Sequence, residues 1–468
     1  MRPPEAVITI LRRPLSVLLL VVSLAVLAVG IIQLQEQLRG GGGRVYDNPS
    51  CIPETLPACQ GRSDVFPLLV GARLAWQRES PYGADLTREV GRFAPPDIAE
   101  VHAFYYPLPI AVLVTPFAAL PYAWGGTLFT WVMTFGFAGL LGVTMRFASV
   151  GRIPWGIALG GSAALVAASP MFRGAAYLQQ PALLLAVLQV GLCLAIVRGT
   201  WRWAGVLAAL GLVKPQFGFL PALVVLLMIG WHDRTRRGLL AFGATVGAMA
   251  AVSFILVPSW IGGFRERVDA YAEAGPRLSV LDWMGAPSGL VVGGAVIVAA
   301  ALLAGVLRRR FDPASPEAPS ARVDLAVLVV GALALAMLVI PRLDPLVGPY
   351  DHLFLLIPVA LLTARALIGG ALRITVGVIA LLVPVWAIIG REWLGWHQWG
   401  TDLLLGVQEI IGFAPPPGFH YATNITDYFL QSWAPFAVVV LAIACAAPGI
   451  RDCAQWLRAR VAERASVG

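Results

Sequence analysis

The stretch LSVLLLVVSLAVLAVGIIQL, residues 15–34, decides the fold class. Crossing the hydrocarbon core of a bilayer takes roughly 20 apolar residues of helix, and this run carries no charge. It follows Arg2, Arg12 and Arg13, which places the amino terminus on the cytoplasmic side by the positive-inside rule. The run is too long for the apolar part of a secretory signal and lacks a convincing cleavage site, so it reads as a retained anchor.

Outward from this segment the same pattern recurs. Of the 468 residues 58% are hydrophobic and 13% charged, against about 25% charged in a soluble domain. That balance excludes an ordinary water-soluble enzyme, because too few charges remain to cover a globule of this size. The net charge of +8 does not point to nucleic acid, since bilayer topology accounts for the basic clusters more simply. Clusters at Arg146 and Arg152, Arg198 and Arg202, Arg234 to Arg237, Arg308 to Arg322, Arg365 and Arg373, and Arg451 to Arg464 all fall on the cytoplasmic side if the spans alternate. With the amino terminus this gives 20 arginines inside and six in the outer loops after the first.

The resulting expectation is an all-α, polytopic membrane protein forming a single domain over 1–468, with both termini cytoplasmic and about ten full spans. These are 15–34, 125–145, 155–170, 181–197, 239–257, 289–307, 325–340, 353–368, 374–389 and 434–448. Two apolar segments do not fit as crossings. Residues 106–120 are short and broken by Pro107, Pro109 and Pro116, which remove backbone donors that lipid cannot replace, so they read as a re-entrant or interfacial helix. Residues 204–231 are flanked by basic residues on both sides and read as a hairpin of two short helices. Its tip is Lys214-Pro215-Gln216, and Lys214 is the one lysine of the chain. An unpaired ammonium at membrane depth costs about 2.5–3.5 kcal/mol, so an anionic partner or ligand is expected there; a snorkelling lysine or an ion pair to a helix carboxylate is the competing reading.

A long polar loop, 35–105, follows the first span and lies outside in this topology. It holds nine acids, among which Asp64 stands apart by its setting. Val65, Phe66, Leu68, Leu69, Leu74, Ala75 and Trp76 follow it in a pattern that suits an amphipathic helix on the outer membrane surface, with Asp64 at the helix start. From that pattern alone Asp64 is better explained as an N-cap. Cys51 and Cys59 lie eight apart in the same loop, where an oxidising compartment favours a disulfide. The five histidines are scattered, and no zinc spacing or phosphate-binding glycine loop is present. A second outer stretch, 391–433, carries Trp393, Trp396, His397 and Trp399.

The order of features after Asp64, namely Ser80-Pro81-Tyr82 and then Tyr106-Pro107, resembles the first loop of membrane glycosyltransferases of family 87, polytopic enzymes of the C fold. Tyr177-Leu178-Gln179-Gln180-Pro181 occupies the place of that family's Gly-Gln-x-Asn segment. Ala204-Gly205 to Lys214-Pro215 is similar to its hairpin, and 341–352, with Asp344, Tyr350, Asp351 and His352, to its outer segment bearing an aromatic, an Asp and a His.

The resemblance implies a polyprenyl-phosphate sugar donor, a lipid-linked or glycan acceptor, no cofactor and no essential metal. It also implies a site on the extracytoplasmic side of the plasma (inner) membrane. Inverting transfer needs a carboxylate to take the acceptor's hydroxyl proton and cations on the departing phosphate. Asp64 is the expected base. Lys214, His352, Arg173 and Arg342 are the expected phosphate-binding residues, and Gln180, Tyr82, Tyr106 and Asp351 the expected substrate contacts. Mannose is the first-choice sugar and arabinofuranose the runner-up. A lipid transporter or flippase stays open as a different class, since it too uses broken helices and an intramembrane cation.

Overall fold

The computed structural model describes residues 5–39, 63–90, 103–229, 236–273, 277–278, 318–339, 342–343 and 353–368, with five isolated positions near the carboxyl end. The spans expected at 289–307 and 374–389, the last outer stretch 391–433, and Cys51, Cys59, Asp351 and His352 lie outside the described residues, as does nearly all of 434–448.

The described chain is helical almost throughout, as its apolar runs require. Apart from helices it holds two short strands, β1 (Arg277–Leu278) and β2 (Arg342–Leu343), paired antiparallel with Arg277 opposite Leu343. Helix α1 (Glu5–Arg39) contains the first expected span and continues beyond it at both ends. Three helices are long and apolar enough to cross a membrane among the described residues: α1, α5 (Tyr122–Ala148) and α11 (Arg236–Leu256). The helix α13 (Ala318–Val339) is as long but carries Arg322 and Asp324 near its start.

The expected crossing at 155–170 corresponds to one helix, and its far limit, Pro170, is where the next begins. α6 (Trp155–Ala168) stops at Ser169, whose side chain caps α7 (Pro170–Tyr177) by accepting from the Phe172 amide. Ser followed by Pro at the first helical position is a start signal, and here it begins a new helix inside an apolar run. α8 (Ala182–Arg198) then runs the depth of the bundle and ends on Gly199 in the left-handed region, φ 69°. Almost every residue of α8 is buried, because α5, α9 (Trp201–Gly211) and α13 surround it.

The two irregular segments fold as their prolines dictate. α9 and α10 (Pro215–Ile229) form the hairpin, and at 1.5 Å per residue they are about 16 and 22 Å long, each short of a bilayer core of about 30 Å. The segment 106–120 holds the ten-residue helix α4 (Pro109–Ala118). Arg73 donates to the carbonyls of Ala118 and Leu120, satisfying acceptors that the end of α4 leaves open, and its guanidinium lies 3.8 Å from the centre of the Tyr122 ring.

One expectation is corrected. α2 (Phe66–Trp76) is not a surface helix with one wet face: Phe66 to Ala72, Leu74 and Ala75 are all buried. α4 packs on it, and Phe104 lies so close to Gly71 that a β-carbon there would stand 2.4 Å from the ring.

Candidate functional site

The turn Ser63-Asp64-Val65 feeds α2. Its first hydrogen bond runs from the Phe66 amide to the Ser63 carbonyl at 3.0 Å, and the capping position is taken by Val65, which has no side-chain acceptor. The helix therefore begins two residues after Asp64, and the N-cap position that the local pattern left open falls to Val65. Asp64 is half-buried. Its amide donates to the carbonyl of Leu178 at 2.9 Å, and the Ser63 hydroxyl donates to Gln179 Oε1 at 2.5 Å. Two bonds thus tie the acid-bearing loop to the turn between α7 and α8, 116 positions away in the chain.

That turn has a defined geometry. α7 ends in a Schellman motif: the Gln180 amide donates to the Ala175 carbonyl at 2.8 Å and the Gln179 amide to that of Ala176 at 3.3 Å. The motif needs a left-handed residue, and Gln179 supplies it with φ 51°. Glycine normally holds this place, because a β-carbon there costs about 1–2 kcal/mol. The Gln179 amide is pressed against α5: a β-carbon on Gly126 would stand 2.5 Å from Gln179 Oε1, so any larger residue there displaces the amide. Gln179 and Gln180 are both buried. Gln180 makes no side-chain hydrogen bond among the described residues.

Lys214 sits at the tip of the α9–α10 hairpin. It is 9% exposed, its Nζ lies 4.7 Å from the centre of the Phe217 ring, and its carbonyl accepts from the amides of Phe217 and Gly218 at 2.9 Å each. The tip is narrow because Gly211 and Gly218 face each other; a β-carbon on Gly218 would lie 2.1 Å from the Gly211 oxygen. Gly211 also abuts the buried Gln189 of α8, with 3.4 Å from its β-carbon position to Gln189 Nε2. Gln189 lies seven residues into α8, about 10 Å along the axis. The hairpin tip is therefore within about three helical turns of the Gln179–Gln180 turn, measured along α8.

Other expected residues fall as follows. Arg173 is on α7, one turn before the Schellman motif, and Arg342 is on β2 opposite Leu278. Tyr82 is buried, and its hydroxyl donates to the Tyr106 carbonyl at 2.9 Å. Its own carbonyl accepts from Arg267 Nε at 2.6 Å, and its ring fills the space above Gly263 on α12 (Trp260–Glu273). Burial holds the phenol above the ordinary tyrosine range, so it stays protonated and donating. Tyr82 is thus a strut joining three segments, and its hydroxyl is spent on backbone. No cluster of three or more metal-ligating side chains occurs among the described residues.

Sequence reasoning passed over Ser63, Gly126 and Gln189. A serine beside an acid and a glycine in an apolar helix are too common to single out. Gln189 was the one readable signal, as an amide inside a span.

A chain of packed, apolar helices of this length and number is a polytopic α-helical membrane protein. The sequence model of glycosyltransferase family 87 matches residues 104–342, half of the chain, and the chain belongs to that family. It is therefore a glycosyltransferase. Comparison with curated proteins and with solved structures finds no match. The matched range includes Tyr106, Arg173, Gln180, Lys214 and Arg342, while Asp64, Tyr82, Asp351 and His352 lie outside it.

Proposed function

We propose that the chain transfers mannose from a polyprenyl-phosphate donor to a lipid-linked or glycan acceptor at the extracytoplasmic face of the plasma (inner) membrane, with inversion. Asp64 takes the acceptor's hydroxyl proton as that oxygen attacks the anomeric carbon. The bond from the anomeric carbon to the phosphate oxygen breaks in the same step, and polyprenyl phosphate leaves with the electron pair. Lys214, with Arg173, Arg342 and His352, neutralises the charge that develops on the phosphate. Gln180, Tyr106 and Asp351 contact the substrates, and Cys51–Cys59 braces the first loop.

The observation that carries this reading is the attachment of the Asp64 loop to the α7–α8 turn through Asp64 N and Ser63 Oγ. It holds Asp64 beside the turn that carries Gln180, with the Lys214 tip within about three turns along α8. A carboxylate and a cation so arranged suit a displacement whose leaving group is a phosphate anchored in lipid. Tyr82 supports the site from behind.

The test is transfer from polyprenyl-phosphate mannose, and in parallel from polyprenyl-phosphate arabinofuranose, in membranes holding the full chain. Asp64→Asn lowers transfer by about 10²–10⁴-fold, the worth of a general base, while the protein still folds and inserts. Unchanged transfer removes Asp64 as the base; transfer from the arabinofuranosyl donor alone replaces the sugar and keeps the mechanism.

A further inference from the structure

We infer that Ser63 and Gln179 are positioning residues for Asp64: they form a clasp that sets the carboxylate-bearing turn against the α7–α8 turn. The inference rests on the reading of Asp64 as the base and assigns two residues that reading does not use. Three observations converge on it. The Ser63 hydroxyl and the Gln179 amide are both buried, and they bond to each other at 2.5 Å. The neighbouring Asp64 N to Leu178 O bond makes the attachment two-pointed, so the loop can neither slide nor pivot freely. Gln179 adopts φ 51°, a backbone state that glycine reaches without strain. A side chain kept where glycine fits better, against a helix that offers it Gly126, is a side chain used for its amide.

The clasp also divides the adjacent glutamines. Gln179 is held by the loop, and Gln180 is left for substrate. A catalytic carboxylate displaced by about 1 Å loses up to about a hundredfold in rate, so a second point of attachment beside the Asp64 amide bears on catalysis.

The experiment compares the full-length wild type with Gln179→Gly, Ser63→Ala and the double variant, measuring kcat and donor KM for polyprenyl-phosphate sugar transfer together with the thermal midpoint in detergent. Gln179→Gly removes the amide and leaves the Ser63 hydroxyl without its partner while relieving the backbone, so a purely structural role predicts a shift in the midpoint alone, with kcat unchanged. The clasp predicts kcat down about tenfold to a hundredfold in folded protein, with donor KM within about twofold. The double variant is no worse than the single ones, because the two residues act as one unit. A kcat within about twofold of wild type in both single variants, or a loss expressed only in KM, overturns the clasp. Asp64→Asn in the same assay separates the two proposals. If it abolishes transfer while the clasp variants do not, only the clasp falls; if it leaves transfer intact, both fall.

Discussion

The α9–α10 hairpin and the open side of the following helix α11 are both apolar and both contain glycines, but they use them in opposite ways; the buried start of α11, at Gly238, belongs with the hairpin. On the hairpin glycines are contact points. A β-carbon on Gly205 would lie 2.0 Å from the Gly238 oxygen, and one on Gly218 would lie 2.1 Å from the Gly211 oxygen. On the open side of α11, Gly243 and Gly247 have nothing within 4 Å of the place a β-carbon would take. The burial pattern agrees: α8, beside the hairpin, is covered on almost all sides, whereas α11 buries only Gly238, Ser253 and Leu256. Hydropathy says that a segment avoids water, and only backbone proximity says whether protein or lipid replaces it. The hairpin is the region that carries Lys214 at its tip, and its seam is built to backbone-contact distance.

The largest effect that would break this contrast is a charge on the open side of α11. Ala248 is exposed near the middle of the helix. Ala248→Arg is expected to cost about 2.5–3.5 kcal/mol of insertion, read as loss of membrane-integrated protein on fractionation. Normal insertion at wild-type level would mean that this face lines protein or water instead of lipid. Next in size is Gly218→Ala. The added carbon cannot be accommodated by a rotamer change, because the atoms it meets are backbone, so the two hairpin helices must separate. Overpacking of this kind costs about 1–3 kcal/mol, seen as a lower thermal midpoint, and the displaced tip should raise the donor KM as well. A midpoint equal to wild type would show the seam to be looser than its geometry.

Most of the fold was legible because lipid enforces simple rules. An uninterrupted apolar run of 20 residues leaves a helix as its one economical state, and α1, α5 and α11 appear where the runs are. Prolines placed the breaks at 106–120 and at Lys214-Pro215. The Ser169-Pro170 break was legible as the far limit of the apolar run that starts at Trp155, and its capping chemistry is explicit. The burial of α2 was not legible. The pattern from Val65 to Trp76 fixes one apolar face, but the residues that cover the remainder, Phe104 and α4, come from another segment. The site divides in the same way. Asp64, Gln180 and Lys214 are unusual residues in their surroundings and could be picked out. Ser63 and Gly126 are ordinary residues whose meaning lies in Gln179, and a partner 116 positions distant leaves no local trace.

The smallest effect tests the contrast most sharply, because it turns on sign. Gly247→Ala puts on α11 the same methyl that Gly218→Ala puts on the hairpin. In open space the methyl meets nothing, and the only remaining term is backbone: alanine restricts the unfolded chain and favours helix over glycine by about 0.8–1.0 kcal/mol. The thermal midpoint in detergent should therefore stay level or rise slightly, with transfer unchanged, where Gly218→Ala lowers the midpoint. A fall at Gly247 comparable to that at Gly218 would mean that α11 is covered by a surface pressed as closely as the hairpin seam. The difference between the two regions would then vanish, and the hairpin's glycines would no longer mark a seam of their own below Lys214.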